Sequence, residues 1–198
     1  MNQQLDLFGS SLTAQRPKYS LFLAILPDSS AIQQIEGLTV GLSTRHNLTG
    51  KLLESHYLHI TLHYFGQHVE IPSDLIGNIE QACETAAKQI SPFEVTFNQT
   101  VSFSSSKEKA PFVLLGNDQN HTALNNCYDT LLKHLIKHRC SVERNAKFKP
   151  HVTLLYDRQR LAEQPTESIS WRANEIVLVC SEVGLTKHRH LKRWQFRG

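Results

Sequence analysis

Two short segments of this sequence carry the same pair of side chains that can transfer protons and donate hydrogen bonds. Each reads His-x-Thr-Leu with a β-branched residue at x, the first beginning at His59 and the second at His151. Apolar, β-rich residues flank both, which is typical of buried strands. Because side chains alternate between the faces of a strand, His59 shares a face with Thr61, and His151 shares a face with Thr153.

Together, two such strands bring two imidazoles and two hydroxyls to one site. Histidine has an ordinary pKa near ~6.5, so one neutral and one protonated copy can coexist near neutral pH. Opening a phosphodiester needs a base for water, an acid for the departing oxygen, and donors for the phosphoryl oxygens. The four side chains can meet these needs without a metal or another cofactor.

Composition and charge limit the classes of protein that fit. The chain has 198 residues, is 40% hydrophobic and carries a formal net charge of +3. This predicts a globular protein, expected to be a monomer, whose mild basicity permits a polyanionic partner.

No apolar run is long enough to span a membrane, and no secretion signal is visible, so we expect a cytoplasmic location. The four cysteines are scattered without a CxxC pair, which predicts reduced thiols and no zinc site.

Periodicity along the chain predicts the elements that position the motifs. Residues 1–18 lack periodicity and are expected to form a flexible tail, whereas 19–198 are expected to form one domain. The predicted order is strand, helix, motif strand, helix, strands, helix, motif strand and strands. Asp28 and Ser73 are expected to cap the first two helices. The stretch rich in Gln, Glu and Pro after the second motif is predicted to be a loop.

The paired motifs and their surroundings resemble the 2H phosphoesterase superfamily. The closer similarity is to the RNA 2′,3′-cyclic phosphodiesterases, also called 2′–5′ RNA ligases. The first motif runs through Tyr64, Phe65 and Gly66, as that family's first motif typically does, and Pro150 precedes the second histidine. The similarity spans about residues 19–196. It implies an α+β fold with two similar halves, each an antiparallel sheet with helices, arranged around a central cleft.

The resemblance also implies a role for each motif residue. His59 corresponds to the general acid and His151 to the general base, while Thr61 and Thr153 correspond to residues that bind the phosphate oxygens. The implied reaction is hydrolysis of RNA 2′,3′-cyclic phosphate ends to a 2′-phosphate. The near-symmetric motifs do not themselves say which histidine is the acid. Ligation through a 2′–5′ bond, hydrolysis of small cyclic nucleotides, and binding of RNA or a nucleotide without catalysis remain open alternatives.

Four further residues are candidates for contacts to phosphate or base. Many relatives carry an arginine where this chain has Tyr156, and Arg158 is a candidate replacement or a solvated loop charge. His63 has the same strand parity as His59, so it is expected either to line the cleft mouth or to lie at an exposed strand end. Phe103 is a candidate to stack on a base, as aromatic residues do in proteins that bind single-stranded RNA.

The N-terminal tail carries one candidate for a partner. Five residues there resemble the short peptide with which bacterial proteins dock on the replicative sliding clamp: Gln4, Leu5, Asp6, Leu7 and Phe8. The alternative is that the apolar residues of this peptide pack against the tail's own domain.

Overall fold

Helices are interspersed with strands as far as the second motif, after which the described chain forms strands only. The computed structural model describes residues 18–116, 122–142, 148–184 and 187–198. The strands are β1 (Tyr19–Ile25), β2 (Ile60–His68), β3 (Phe93–Ser102), β4 (Ala110–Leu115), β5 (His151–Asp157), β6 (Gln164–Ala173), β7 (Glu175–Glu182) and β8 (Lys187–Gln195). The helices are α1 (Ser29–His46), α2 (Ser73–Ala87) and α3 (Thr122–Lys137), and a short 3-10 turn, Ser55–Tyr57, precedes β2.

The strands form one antiparallel sheet in the order β6-β3-β4-β5-β2-β1-β7-β8, with the two motif strands side by side at its centre. The α+β prediction is therefore confirmed. A four-stranded half lies on each side of the junction between β2 and β5. These halves are not consecutive in the sequence, because the C-terminal hairpin β7–β8 returns to pair with β1.

The helices cover one face of the sheet. On β1, the side chains of Leu21, Leu23 and Ile25 enter the large core to which all three helices contribute. Phe22 and Ala24 point to the opposite face, where they pack in a small separate cluster with residues of β7. Alternation along the strands thus separates a stabilising face from a face that is free to carry a site.

Local capping agrees with the sequence at one of the two predicted helix starts. The Asp28 carboxylate accepts a 2.8 Å hydrogen bond from the backbone N–H of Ala31, so its predicted role as the cap of α1 is confirmed. The prediction for Ser73 was wrong. It is the first residue of α2, and the cap position belongs to Pro72, which makes no side-chain capping bond.

Strand β6 was missed by the sequence analysis, which expected a loop there. Its last residues alternate between buried and exposed, and the buried ones are Ile169, Trp171 and Ala173. Only this end buries apolar residues at a spacing of two, because β6 is an edge strand whose first half packs little apolar surface. Pairing with β3 extends the sheet over this segment.

Two further sequence predictions concern the N-terminal tail and membrane-spanning segments. Residues 1–17 of the expected tail, which include the docking peptide Gln4 to Phe8, lie outside the described residues, and Lys18 donates its N–H to the carbonyl oxygen of His68. Among the described residues, no helix is long and apolar enough to cross a membrane.

Candidate active site

The two motifs meet at the central junction of the sheet. Strands β2 and β5, both described over their full length, share one backbone bridge, between Ile60 and Val152. Both of these side chains are buried in the core beneath the helices. Extending the antiparallel register by one residue each way places His59 opposite Thr153, and Thr61 opposite His151. Because neighbouring residues of a strand alternate, all four point away from the helices.

This register sets the spacing of the reacting groups. Diagonal partners across an antiparallel pair lie roughly 7–8 Å apart, which leaves space for a phosphoryl group between two imidazoles. The prediction that each histidine shares a face with its threonine agrees with the packing. His59 stacks on Phe22, and Thr61 pairs with Ala24, both of which belong to the face without helices.

A β-bulge follows the threonine of each motif. Along β2, Thr61 pairs with Ala24 and His63 pairs with Leu23, so one extra residue is inserted between them. Along β5 the register shifts in the same way between Thr153 and Leu155. After each bulge, the side chains point to the face opposite to the one that regular alternation along the strand would give. The two halves therefore repeat each other down to this local irregularity.

The bulge overturns the prediction for His63. Its side chain turns toward the helices, is 1% exposed and is bonded through Nε2 to the carbonyl oxygen of Tyr128 at 3.0 Å. Its ring stacks on Tyr128 with centroids 4.2 Å apart. His63 therefore lines neither the cleft mouth nor an exposed strand end, because simple parity does not survive an inserted residue.

Each motif histidine is held by the backbone two residues before it. Nδ1 of His59 lies 2.7 Å from the carbonyl oxygen of Tyr57, and Nδ1 of His151 lies 2.8 Å from that of Lys149. A carbonyl only accepts, so Nδ1 carries the proton in both rings. In the neutral imidazole the lone pair is then on Nε2. This is the tautomer that a general base needs, and protonation of Nε2 converts the same ring into an acid.

The surroundings favour the neutral form of both histidines. Burial lowers the pKa of His59 to about 4; the bond to Tyr57 opposes this, and repulsion from His188, His151 and His190 adds to it. Burial also lowers the pKa of His151, the carbonyl of Lys149 opposes this, and the charge of Lys149 lowers it further. The expectation of one protonated and one neutral copy near neutral pH therefore does not describe the unliganded protein.

An aromatic ring packs against each motif histidine. Phe22 is stacked on His59 with ring centroids 4.9 Å apart, and Phe103 meets His151 edge-on at 4.8 Å. The ammonium of Lys149 lies 5.1 Å from the centroid of the Phe103 ring. Phe103 is thus engaged with a motif histidine, in addition to any contact with a base.

His188 and His190 were missed by the sequence analysis. Strand β8 places both on the face that carries His59, because His188 pairs with Ser181 and His190 pairs with Val179. The ring of His188 lies 5.4 Å from that of His59 and 4.8 Å from that of Tyr57. The only signal in the sequence was the His-x-His spacing, which indicates a shared strand face but not the neighbour.

Asp157 connects the second motif strand to the segment that leads into the first. Its Oδ2 accepts hydrogen bonds from the backbone N–H groups of Thr49 and Gly50 at 2.7 and 2.6 Å, and its Oδ1 accepts one from Gln159 at 2.8 Å. Burial alone would raise the pKa of Asp157, but these three donors and the Thr49 hydroxyl lower it below the ordinary value. Asp157 is 3% exposed and acts as an internal anchor.

The charged residues after the second motif hold a loop. Arg158 forms a 2.6 Å ion pair with Glu108, and both side chains are 69% exposed. Arg160 donates hydrogen bonds to the backbone carbonyls of Lys107 and Asp157. These contacts fasten the loop between β3 and β4 to the end of β5. Phosphate binding by Arg158 stays a prediction, since it would compete with the carboxylate already bound.

Tyr156, at the position where the family resemblance implies an arginine, is 47% exposed. It pairs with Pro111 and follows the bulge, so it points to the face that carries the motif side chains.

Across the described parts of the chain, no group of three or more His, Cys, Asp or Glu side chains is arranged to hold a metal ion.

Comparison with known proteins identifies a family and a fold. Residues 26–190 match the 2′-5′ RNA ligase superfamily, although no curated protein sequence matches the chain. E. coli LigT in complex with 3′-AMP superimposes with a TM-score of 0.69 at 21% identity, covering 92% of this chain and 100% of LigT. LigT in complex with phosphate gives 0.64 at 20% identity, covering 91% and 98%. The protein TT0787 of Thermus thermophilus gives 0.70 at 19% identity, covering 90% and 98%.

Proposed function

Because the chain belongs to the 2′-5′ RNA ligase superfamily, within the 2H phosphoesterases, we propose that it is an RNA 2′,3′-cyclic phosphodiesterase. It hydrolyses the cyclic phosphate at an RNA 3′ end to a 2′-phosphate by acid–base catalysis with two histidines. The observation that carries the proposal is the matched pair of imidazoles. Both donate Nδ1–H to a backbone carbonyl two residues earlier and keep Nε2 for chemistry.

Each motif side chain has one role in the reaction. Nε2 of His151 takes a proton from water, whose oxygen attacks phosphorus. The bond from phosphorus to the ribose 3′-oxygen breaks on the opposite side, and Nε2 of protonated His59 delivers its proton to that oxygen. The hydroxyls of Thr61 and Thr153 donate to the non-bridging oxygens, where negative charge accumulates. Proton exchange with solvent restores both histidines.

Substrate binding is required to bring His59 into its protonated form. His59 has to be protonated before it can act as an acid, yet burial and neighbouring histidines hold its pKa at about 4 in the unliganded protein. A cyclic phosphate carries one negative charge, and an anion within a few ångströms favours the protonated imidazole. We therefore expect substrate binding to raise the pKa of His59. LigT, which has the same fold, is seen in complex with 3′-AMP.

The direct test is turnover of an RNA oligomer that ends in a 2′,3′-cyclic phosphate, measured in EDTA. Wild-type protein is expected to form the 2′-phosphate, and His59→Ala or His151→Ala should each lower kcat by about 10² to 10⁴-fold. His138→Ala is the matched control, because His138 lies just beyond α3 in the helix layer. Activity that survives both motif substitutions would overturn the assignment of the site.

The threonines are tested by substitutions that separate shape from hydrogen bonding. Thr61→Val and Thr153→Val keep the branched side chain but remove the donor. We expect kcat to fall by about 10 to 10³-fold in each, as for other donors that stabilise a transition-state oxyanion. Thr→Ser at the same positions should retain most of the activity. Equal activity of the Val and Ser variants would remove the threonines from the mechanism.

The same assay separates the proposed reaction from its alternatives. A 2′–5′ ligase would join the cyclic end to an RNA with a free 5′-hydroxyl, so the oligomer is also incubated with such an acceptor. A binder without catalytic activity would retain affinity for the oligomer but give no product in any variant.

The docking peptide in the tail is tested separately, by titrating a peptide of residues 1–12 with purified sliding clamp. Absence of binding would end that proposal.

A further inference from the structure

A cavity of about 390 Å³ opens beside the motif residues and is not used by the proposed chemistry. Its lining includes Tyr57, Leu52, Tyr156 and Lys109. Its volume falls within the range of about 300 to 1,000 Å³ that is typical of small-molecule sites. The cavity combines apolar, aromatic and cationic side chains, which is the composition that a nucleotide requires.

The walls are held in place before any ligand arrives. Leu52 forms a backbone bridge with Leu155, and the N–H of Leu53 donates to the carbonyl oxygen of Leu154 at 2.9 Å. Upstream, Gly50 is anchored on Asp157 at 2.6 Å. One wall is therefore fastened along the edge of β5 and does not need to be ordered on binding, which lowers the entropic cost of recognition.

Two tyrosines line this cavity. The backbone carbonyl of Tyr57 fixes His59, and its ring packs against His188, so this wall is continuous with the motif residues. Tyr156 also belongs to the lining, with nearly half of its surface exposed. Exposed aromatic rings beside a cationic groove are the common platform for bases of single-stranded RNA.

The cavity carries one cation that is not neutralised by a carboxylate. Lys51 is paired with Glu54 at 3.2 Å, and both belong to the lining. In the loop next to Lys109, Glu108 is already paired with Arg158. Among the described residues Lys109 has no carboxylate within ion-pair distance, so its ammonium is available to a phosphate.

The position of the cavity favours a neighbouring nucleotide over the reacting one. Tyr57 lies two residues before His59, and Tyr156 lies three residues after Thr153. Neither the motif histidines nor the motif threonines line the cavity, so its walls lie beyond the side chains that would hold the cyclic phosphate. Lys109 precedes Ala110, which pairs with Asp157 beyond Tyr156, so its ammonium is placed further along, for the next phosphate of the strand.

We propose that this cavity binds the penultimate nucleotide of an RNA strand, with its base on Tyr156 and Tyr57 and its phosphate on Lys109. This inference rests on the proposed function and specifies its substrate. The site is built to act on the end of an RNA strand in preference to a cyclic mononucleotide. Tyr156 thereby adds base stacking where many relatives carry an arginine.

The test compares two substrates, an RNA tetramer ending in a 2′,3′-cyclic phosphate and 2′,3′-cyclic AMP. For Tyr156→Ala and Lys109→Gln, the ratio of kcat/KM for the tetramer to that for cyclic AMP should fall about ten-fold. Tyr156→Phe keeps the ring and should keep the ratio. Lys107→Gln is the matched control for charge, because Lys107 lies in the same loop but outside the cavity lining. An unchanged ratio in both Tyr156→Ala and Lys109→Gln overturns the proposal.

A binding measurement keeps this test separate from the proposed function. Fluorescence anisotropy of a labelled tetramer with a terminal 2′-phosphate reports affinity without turnover. If the wild type hydrolyses neither substrate, but Tyr156→Ala weakens binding about ten-fold relative to Lys107→Gln, the subsite stands and the proposed reaction fails. If the wild type is active and Tyr156→Ala binds as tightly as Lys107→Gln, the subsite fails and the proposed reaction stands.

Discussion

Asp157 accepts a 2.6 Å hydrogen bond from the backbone N–H of Gly50, 107 residues earlier in the chain. The contact joins the end of one motif strand to the segment that enters the other. It also requires a glycine, because a Cβ added at position 50 would lie 2.3 Å from the carbonyl oxygen of Tyr156. Both motifs are therefore positioned relative to each other by a buried carboxylate that performs no chemistry itself.

Replacing Asp157 with alanine should destabilise the fold and loosen the site. The substitution leaves three backbone N–H groups without their charged acceptor, which is expected to cost on the order of 3 kcal/mol in the free energy of unfolding. Urea denaturation at pH 7 measures this cost. Glu163→Ala, an exposed residue before β6, should change stability by less than about 0.5 kcal/mol. Equal stability of the two variants would contradict the anchoring role.

The pH dependence of this anchor has a defined sign. The pKa of Asp157 is lowered in the folded protein, so its contribution is fully present above the ordinary aspartate pKa. It is lost as the pH falls through the lower, folded value. In the wild type, acid unfolding should therefore include a loss below about pH 4 that is absent from Asp157→Ala.

His63 should make the protein less stable in mild acid. Burial lowers its pKa to about 4, opposed by the bond to Tyr128 and by Asp129, whereas the unfolded chain takes up the proton near the ordinary value of 6.5. The unfolded state thus binds more protons between these values, and stability falls as the pH falls. The loss reaches on the order of 3 kcal/mol by pH 4.

His63→Leu is the matched variant for this effect, since Leu155 occupies the corresponding position after the second bulge. Urea denaturation from pH 7 to pH 4 should show a shallower slope for His63→Leu than for the wild type. The lost donor to Tyr128 lowers stability at every pH and does not alter the slope. Identical slopes would mean that folding does not lower the pKa of His63.

The pH profile of kcat/KM should be bell-shaped with its maximum below pH 6.5. This parameter reports the pKa values of the unliganded enzyme, and both motif histidines have pKa values below 6.5. His188→Ala removes an imidazole that, when protonated, lowers the pKa of His59, and it removes part of the burial of His59. In the pH profile of kcat/KM, the ionisation of His59 should therefore move to higher pH, whereas the ionisation of His151 should not move. A shift of both limbs, or of neither, would contradict the assigned contact.

Phe103 either positions His151 or stacks on a base of the RNA, and kinetic measurements distinguish these two roles. Its edge-on contact with His151 at 4.8 Å indicates that it positions the imidazole, whereas stacking on a base would make it a binding residue. If it positions His151, Phe103→Leu should lower kcat by about ten-fold and shift the pH limb of His151, with little change in KM. A higher KM with unchanged kcat would identify a base contact.

Much of the site was predictable because the relevant signals are local. A histidine and a threonine two residues apart share a strand face wherever the strand is regular, and this holds for His59 with Thr61 and for His151 with Thr153. The cap at Asp28 is equally local. His63 was not predictable, because the bulge that reverses its direction depends on register against β1 and leaves no mark in the hydrophobic pattern.

Local patterns in the sequence are sufficient to predict which residue types are available for chemistry and that two strands carry them. They are sufficient because alternation and residue identity act over a few positions. The tertiary structure alone decided that β2 and β5 are adjacent, that His188 and Phe22 surround His59, and that Asp157 fastens both motifs together. These contacts join residues that are distant in the chain, as far apart as the 107 positions between Gly50 and Asp157. They arise from strand order and core packing, which no local pattern encodes.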